Sequence, residues 1–215
     1  MGGKQGPYIN FFVDGNYKLQ TPAGQPLQVT QHTSYPVSGN IAIEFTVPKP
    51  ENMDVFIRIP AWSKEGMLTV NGEQIQVKPG GYAAIHRLWK TGDVVKLELD
   101  MRGRLAYVGA APQYIAIMRG PVVLARDLRL GGPAVDASIT PVTGKDSFIN
   151  PEPAGVDKNG IWMKYNALFK VESYKEGGNK PIAVTLCDYA SAGNTIDQNS
   201  WFRVWLPQIY DPREQ

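Results

Sequence analysis

The stretch from Met53 to Leu99 constrains the fold more than any other part of the chain. Apolar and polar residues alternate along it with the period of two that turns one face of a strand towards a core. At its centre, Asn71-Gly72 is the strongest short hairpin signal, because both residues accept the positive φ angles of a type I′ turn. The stretch therefore predicts five short strands connected by turns, which is the pattern of a β-sandwich.

Similar strand patterns occur on both sides of this stretch, and no helical period longer than about two turns is present. We therefore predict an all-β fold with little helix, an antiparallel β-sandwich built as two packed modules. Residues 1–7 are predicted to be a flexible leader, residues 8–108 the first sandwich and residues 109–215 the second module. Residues 131–160 are rich in Gly, Pro, Asp, Asn and Ser and predict a long loop. The alternative is one large sandwich from which this loop extends.

Composition excludes several classes of partner. The net charge is +2 and the basic residues are scattered singly, so we expect neither nucleic acid nor an anionic membrane surface as a partner. No apolar run approaches the length of about 20 residues that a membrane-spanning helix needs. Cys187 is the single cysteine, which excludes an internal disulfide and a cysteine metal cluster and leaves the compartment open.

Polar candidates for chemistry are few. Asp188 and Asp197 flank a glycine-containing loop and are the most site-like pair of carboxylates for glycoside hydrolysis. The favoured interpretation is nevertheless that they are turn residues whose side chains accept backbone N–H groups. Asp157-Lys-Asn159-Gly160 resembles the start of a calcium loop but lacks its spacing. The two histidines fit structural or solvated positions, and Cys187 fits a partly buried, inert thiol.

Tryptophans are the candidates for contact with a ligand or partner. We predict that Trp201, Arg203 and Trp205 share one face of a strand and form an exposed aromatic stripe, opposite Phe202, Val204 and Leu206. Burial beneath a neighbouring element is the alternative, since aromatic residues often close the ends of a sandwich core. The candidate contact residues for a carbohydrate or a partner surface are Trp62, Trp89, Asp188, Trp201, Arg203 and Trp205.

A series of short motifs resembles the region that follows the catalytic barrel in glycoside hydrolase family 127, which is typified by β-L-arabinofuranosidases and was long catalogued as a domain of unknown function. The resemblance covers roughly residues 8 to 126, and the tail resembles a C-terminal extension of related members. The motifs, in order, are Tyr8-Ile-Asn-Phe-Phe, Gln31-His-Thr-Ser-Tyr-Pro36, Arg58-Ile-Pro-Ala-Trp62, Val70-Asn-Gly72, Gly81-Tyr82, Arg87-Leu-Trp89, Gly92-Asp93-Val-Val-Lys-Leu97 and Arg119-Gly-Pro121, followed in the tail by Asp188-Tyr-Ala-Ser-Ala-Gly193 and Trp201–Trp205.

The resemblance implies an accessory role. In that family an (α/α)-barrel carries the chemistry, with a zinc-bound cysteine nucleophile, and the β-sandwich modules pack against the barrel. Cys187 lies outside any matching motif, so no catalytic residue is carried over and no cofactor is expected in this chain; zinc is expected only in the absent catalytic domain. The resemblance thus implies a non-catalytic C-terminal part of such an enzyme, with the barrel as its partner. Export to the periplasm or cell exterior is the family habit.

Three functions follow, in decreasing order of support. The first is an accessory β-sandwich region that stabilises or borders a catalytic barrel. The second is an autonomous carbohydrate-binding module whose exposed tryptophans stack on plant-type oligosaccharides. The third is an independent hydrolase that uses Asp188 and Asp197.

Overall fold

The computed structural model describes residues 2–109, 111–155, 160–171, 180–195 and 200–208. The chain divides into two compact units, Met1–Met101 and Arg102–Gln215. β-Strands dominate both units, and the described residues contain one short 3₁₀ helix, η1, at Leu128–Leu130. None of these residues forms a helix long and apolar enough to cross a bilayer.

The first unit is built from two sheets. A three-stranded sheet has the order β1-β5-β8, and a six-stranded sheet has the order β2-β3-β4-β9-β6-β7. Neighbouring strands are antiparallel except β1, which runs parallel to β5. The strands are β1 (Tyr8–Ile9), β2 (Gly15–Gln20), β3 (Pro26–Thr33), β4 (Asn40–Thr46), β5 (Glu51–Ile59), β6 (Met67–Val70), β7 (Glu73–Ile75), β8 (Gly81–Trp89) and β9 (Asp93–Glu98).

The two sheets share one apolar core. On β5 the alternation predicted from the sequence is confirmed, since every second residue from Met53 to Ile59 is buried. Phe45 on β4 and Trp89 on β8 bring the sheets together, with ring centroids 4.6 Å apart. The Trp89 indole N–H donates to the Met53 carbonyl oxygen at 3.1 Å, which satisfies the one polar group of a fully buried side chain.

The hairpin predicted at Asn71-Gly72 is confirmed. The turn connects β6 and β7, and both residues have positive φ angles, 51° and 88°. The Asn71 side chain donates to Asp93 at 2.8 Å and accepts from the Val94 N–H at 2.8 Å. Because Asp93 is itself buried, the turn residue is bonded to β9 as well as shaped for the hairpin.

Main-chain atoms of the leader predicted at residues 1–7 form hydrogen bonds with the first unit. The carbonyl oxygens of Gln5 and Pro7 accept hydrogen bonds from the β5 N–H groups of Asp54 and Phe56, both at 3.0 Å. Gln5 and Pro7 of the predicted leader are thus hydrogen-bonded to β5, while the flexibility of the leader stays a prediction. These bonds use only main-chain atoms on the leader side, which explains why no side-chain pattern indicated them.

The second unit is organised on a nine-stranded sheet. Its main path has the order β10-β11-β12-β16-β15-β13, while β14 pairs with β15, β17 with β12 and β18 with β11. All of these pairs are antiparallel. The strands are β10 (Gly103–Val108), β11 (Ala111–Arg119), β12 (Val122–Asp127), β13 (Ile139–Pro141), β14 (Glu152–Pro153), β15 (Lys164–Val171), β16 (Ile182–Asp188), β17 (Phe202–Arg203) and β18 (Leu206–Pro207).

Two details differ from the predicted organisation. Strand β10 pairs along its length with β11, so residues 103–108 lie in the second unit and the boundary falls after Met101. The region predicted as a long loop contains β13 and β14 and contributes Ile139 and Ile149 to the core. Buried Arg126 also fixes part of it, because its guanidinium donates to the carbonyl oxygens of Pro133, Val135 and Ala137.

The all-β sandwich fold with little helix is confirmed. In the second unit, alternate residues of β11, β15 and β16 point into one core and leave the intervening residues on the opposite face. That opposite face carries the candidate site.

Candidate functional site

A groove of about 650 Å³ lies on the outer face of the second unit. Strand β11 places Ile115 and Ile117 in the core and therefore turns Tyr114, Ala116 and Met118 outwards. Small side chains form the floor, and large aromatic side chains stand around them. The exposed aromatic residues that line the groove are Tyr114, Tyr189, Phe202 and Trp205.

The groove exists because β11 and β12 separate along their length. The two strands pair only between residues 117–119 and 122–124. Beyond that point the last described segment enters the fork, where β17 pairs with the end of β12 and β18 pairs with β11 at Tyr114 and Ile115. Trp205 lies in the bend between β17 and β18, so its ring is presented beside the outward face of β11.

Two buried carboxylates shape the turn that follows β16 and carries Tyr189. The carboxylate of Asp188 accepts from the Met163 N–H, the Ser191 N–H and the Ser191 hydroxyl, at 2.8, 2.9 and 2.8 Å. The carboxylate of Asp127 accepts from the Gly193 N–H at 2.9 Å. The turn is thus anchored at both ends by buried acceptors.

Gly193 allows the same turn to pack under Phe202. Its φ is 63°, and a Cβ at this position would lie 2.4 Å from the Phe202 ring. The Phe202 ring in turn lies 5.8 Å from the Tyr189 ring, centroid to centroid, at a tilt of 45°. One wall of the groove therefore depends on a turn that only glycine accommodates without strain.

Electrostatics reinforce this anchor. Burial raises the pKa of Asp127, but hydrogen bonds from the Arg129 side chain and from the Gly193 and Arg129 N–H groups outweigh burial and hold the pKa below its ordinary value. Arg129 contacts both carboxylate oxygens of Asp127 and also donates to the Ser191 carbonyl oxygen and to Asn194. The ion pair is almost fully buried, so water screens it little.

The predicted contact residues, including the tryptophans, do not lie together in the structure. Trp205 and Arg203 line the groove, while Trp201, 70% exposed, is not among its lining residues. Phe202 lies on the groove with Trp205, so the predicted alternation of the stripe is wrong: β17 and β18 are two short strands separated by a bend. Trp62 is half-buried against the core of the first unit.

Trp89 and Asp188 are not surface contact residues. Trp89 is fully buried, and Asp188 is buried with its carboxylate bonded to Met163 and Ser191. The simpler interpretation of Asp188, a turn residue that accepts N–H groups, is what the geometry shows. Asp197 and the residues of the calcium-like motif at 157–159 lie outside the described residues.

The described residues do not fit a thiolate–metal centre. They contain no group of three or more His, Cys, Asp or Glu side chains that could hold a metal ion. Burial, with the nearby carboxylates of Asp127 and Asp188, raises the pKa of the Cys187 thiol to about 12. The thiol therefore stays protonated near neutral pH, unlike the thiolate of an activated cysteine nucleophile.

Sequence comparison finds a family of domains to which the first unit is similar. Residues 7–101 match the family model of the GH127 β-L-arabinofuranosidase middle domain. This match covers the two-sheet unit nearly from end to end. The predicted resemblance to family 127 is thus confirmed for the first unit, and its position is corrected from a C-terminal to a middle domain. No curated protein matches the chain.

Solved structures extend the similarity of fold to the second unit. A glycoside hydrolase superposes with a TM-score of 0.76 and 24% identity over 96% of this chain and 36% of its own. A GH127 β-L-arabinofuranosidase from Geobacillus stearothermophilus T6 gives 0.70 and 19% over 94% of this chain and 33% of its own. A further GH127 β-arabinofuranosidase gives 0.67 and 22%, over 94% and 34%. The chain thus spans about a third of the length of these proteins.

Among the residues that line the groove, Trp205 and Arg203 were predicted from the sequence, whereas Tyr114, Tyr189 and Phe202 were not. The outward position of Tyr114 could have been predicted, because successive side chains of β11 point to opposite faces and Ile115 and Ile117 mark the inner face. The contact between Tyr189 and Phe202 could not have been predicted, because it depends on the turn at Gly193 and on the pairing of β17 with β12.

We predict that Asp127→Asn destabilises the second unit by about 3 kcal/mol at pH 7, near the lower end for a broken buried ion pair, because Arg129 keeps its bonds to Ser191 and Asn194. Folding lowers the pKa of Asp127. Its ionised carboxylate therefore stabilises the folded state fully above the unfolded-state pKa, which is about 3.9, and this stabilisation is lost as the pH falls through the folded-state pKa. Urea unfolding between pH 7 and pH 2 measures both effects.

The substitution should also flatten the acid limb of the stability profile. Glu152→Gln, at an exposed carboxylate, is the matched control and should leave the profile nearly unchanged. A profile for Asp127→Asn that runs parallel to the wild-type profile at all pH values would contradict the assignment.

Proposed function

We propose that the chain is a non-catalytic accessory region of a carbohydrate-active enzyme, whose partner is the catalytic domain of the same enzyme. The observation that carries this proposal is the match of residues 7–101 to the GH127 middle domain. The solved structures support it, because the parts similar to this chain make up only about a third of two GH127 enzymes. By resemblance, the remainder of such an enzyme holds the catalytic (α/α)-barrel and its zinc.

The aromatic groove is the surface that we propose for contact with the catalytic domain. Tyr114, Tyr189, Phe202 and Trp205 are all exposed around one concavity, which is an arrangement that soluble proteins usually cover or use. Its floor is apolar, with Ala116, Met118 and Val123, and Arg203 lies at its side. Such a mixture of aromatic anchors and one arginine is typical of protein interfaces.

The buried polar residues of the second unit support a structural role for this region. Each carboxylate that shapes the groove already accepts several protein hydrogen bonds. A general acid or nucleophile needs a carboxyl group that faces substrate. Asp188 and Asp127 instead maintain the walls.

A turnover assay tests the non-catalytic assignment. The isolated chain should release no p-nitrophenol from p-nitrophenyl β-L-arabinofuranoside above the rate in buffer. Hydrolysis that co-purifies with the chain through two orthogonal columns, and that falls in folded Asp188→Asn, would overturn the proposal and support the hydrolase hypothesis. Near-ultraviolet circular dichroism of the variant checks that its fold is intact.

Carbohydrate binding is the second candidate function for the same groove. It is favoured by the ring of Trp205 beside Tyr114, since aromatic faces combined with a few polar groups line many small-molecule sites. Plant-type oligosaccharides, such as arabinan or pectic fragments, are the proposed ligands. Export to the periplasm or the cell exterior, as implied by the resemblance, would bring the chain to them.

Titration calorimetry with arabino-oligosaccharides separates the two candidates. If the groove binds sugar, Trp205→Ala should weaken binding by about fivefold to twelvefold, because one stacked aromatic contributes about 1–1.5 kcal/mol. Trp201→Ala, which removes an exposed ring outside the groove, is the matched control and should leave the affinity unchanged. Absence of heat for the wild-type chain would eliminate the carbohydrate-binding candidate and leave the accessory role.

A further inference from the structure

Strand β8 is an edge of the three-stranded sheet in the first unit, and it is long and regular for an edge strand. It spans the nine residues Gly81–Trp89 and pairs with β5 in one unbroken antiparallel register. It contains no proline, lysine, aspartate or glutamate. Its one arginine, Arg87, shares a face with buried Ile85 and lies 3.8 Å from buried Asp93, so it does not charge the outer face.

The other strands at the ends of the described sheets carry features that hinder pairing with a further strand. β1 has two residues and follows Pro7, and β7 has three residues. β13 also has three and ends at Pro141, while the register of β10 shifts between Tyr107 and Val108. β2 carries Lys18. Among these edges, β8 is the one without such a feature.

The hydrogen bonds of β5 determine which main-chain groups of β8 face the open side. The N–H groups of Asp54 and Phe56 donate to carbonyl oxygens of residues 5 and 7, on the side of β1. These two residues therefore form non-hydrogen-bonded pairs with His86 and Ala84 of β8. Such pairs alternate along an antiparallel ladder. The β8 residues whose N–H and C=O groups point away from β5 are thus Tyr82, Ala84, His86 and Leu88.

This open side of β8 is accessible. Among the described residues, none forms a main-chain hydrogen bond with it. The side chains of the same alternate residues lie on the outer face and are exposed, with Tyr82 at 48% and Leu88 at 52%. The Tyr8 ring stacks on Phe56 at 4.2 Å and meets the Tyr82 ring edge to face at 5.3 Å. An open edge therefore adjoins a largely apolar face.

We propose that β8 pairs with β8 of a second copy of this chain, antiparallel about a two-fold axis at Ile85. In this register Tyr82 faces the partner's Leu88, and Ala84 faces the partner's His86. Every open residue then belongs to a hydrogen-bonded pair, which exchanges two N–H···O bonds. Such a contact uses the same surface on both copies and therefore closes as a dimer. The inference goes beyond the proposed function and rests on the first unit alone.

A second copy is favoured over an unrelated strand because the edge is complementary to itself. Opposite Tyr82, Leu88 gives an aromatic–aliphatic cross-strand pair, which stabilises a sheet. His86 lies opposite a small residue and keeps its bond to Asp54, at 2.7 Å. A shift by two residues leaves either Leu88 or Tyr82 of each copy unpaired, and the second of these shifts brings the two His86 rings opposite each other. The register at Ile85 avoids both defects.

Sedimentation velocity of the full chain tests the dimer. An edge contact buries a small area, so a weak dimer should become populated between about 10 and 500 µM. Ala84→Lys adds a charge on each side of the two-fold axis and should raise the dissociation constant about tenfold. Ala84→Pro, which removes an N–H on the open side and no bond to β5, should weaken the dimer similarly. Near-ultraviolet circular dichroism checks that both variants are folded.

Two control variants locate the contact. Ala183→Lys is the same substitution at an exposed alanine of β16 and should leave the dissociation constant unchanged. Trp205→Ala, in the aromatic groove, should also dimerise like the wild-type chain. This inference and the proposed function can therefore fail independently.

Cysteine cross-linking tests the register. Hydrogen-bonded residues of an antiparallel pair have Cα atoms about 5.5 Å apart, which a disulfide can bridge. A mixture of Ala84→Cys and His86→Cys chains should therefore form a disulfide-linked dimer. Ala84→Cys alone should not, because the two copies of residue 84 are offset along the strands. Cys187 is buried and does not compete.

Four results would overturn the proposal. The first is a chain that stays monomeric over the whole concentration range, including one that instead captures an unrelated extended peptide at β8. The second is a dimer of unchanged strength in folded Ala84→Lys and Ala84→Pro. The third is a dimer that Trp205→Ala abolishes. The fourth is cross-linking of Ala84→Cys alone that is as efficient as cross-linking of the mixture.

Discussion

The candidate site depends on the hydrogen bonds that the buried carboxylates of Asp127 and Asp188 accept. Each has been removed from water and compensated by several protein donors, and together they fix both ends of the turn that carries Tyr189 and ends at Gly193. Gly193 then admits the Phe202 ring, and the segment after Phe202 fills the fork between β11 and β12. Buried polar groups beneath the groove thus hold its aromatic walls in place. The apolar core alone would not position these walls.

The two units differ in what the sequence reveals. In the first unit, alternation and the Asn71-Gly72 turn were sufficient for the five strands of the central stretch, because the hydrophobic period and the turn geometry act locally. The same alternation places Trp89 with Ala83 and Ile85 on the inner face of β8. The burial of Trp89 could therefore have been predicted, although the residue was proposed as a contact residue. In the second unit, β17 and β18 lack a period, since a bend at Trp205 interrupts them. Pairing between distant segments decides that geometry, and no local pattern encodes it.

The proposed contact surface combines apolar walls with a small number of polar groups. In the second unit, exposed rings surround an apolar floor, which suits a protein partner of large apolar area or a stacked sugar. The carbohydrate-active context comes from the match of residues 7–101, whereas each ligand assignment comes from the donors and acceptors of the surface itself.

A catalytic domain or a sugar can contact the aromatic groove only if the groove is open in the isolated chain. The chain has five tryptophans, so it can be labelled with 5-fluorotryptophan and each ¹⁹F resonance assigned by a single Trp→Phe substitution. A soluble gadolinium relaxation agent then reports the solvent exposure of each ring. We predict strong broadening for Trp205 and Trp201 and none for Trp89. A Trp205 resonance as well protected as that of Trp89 would contradict the account, because no catalytic domain or sugar could then reach the groove.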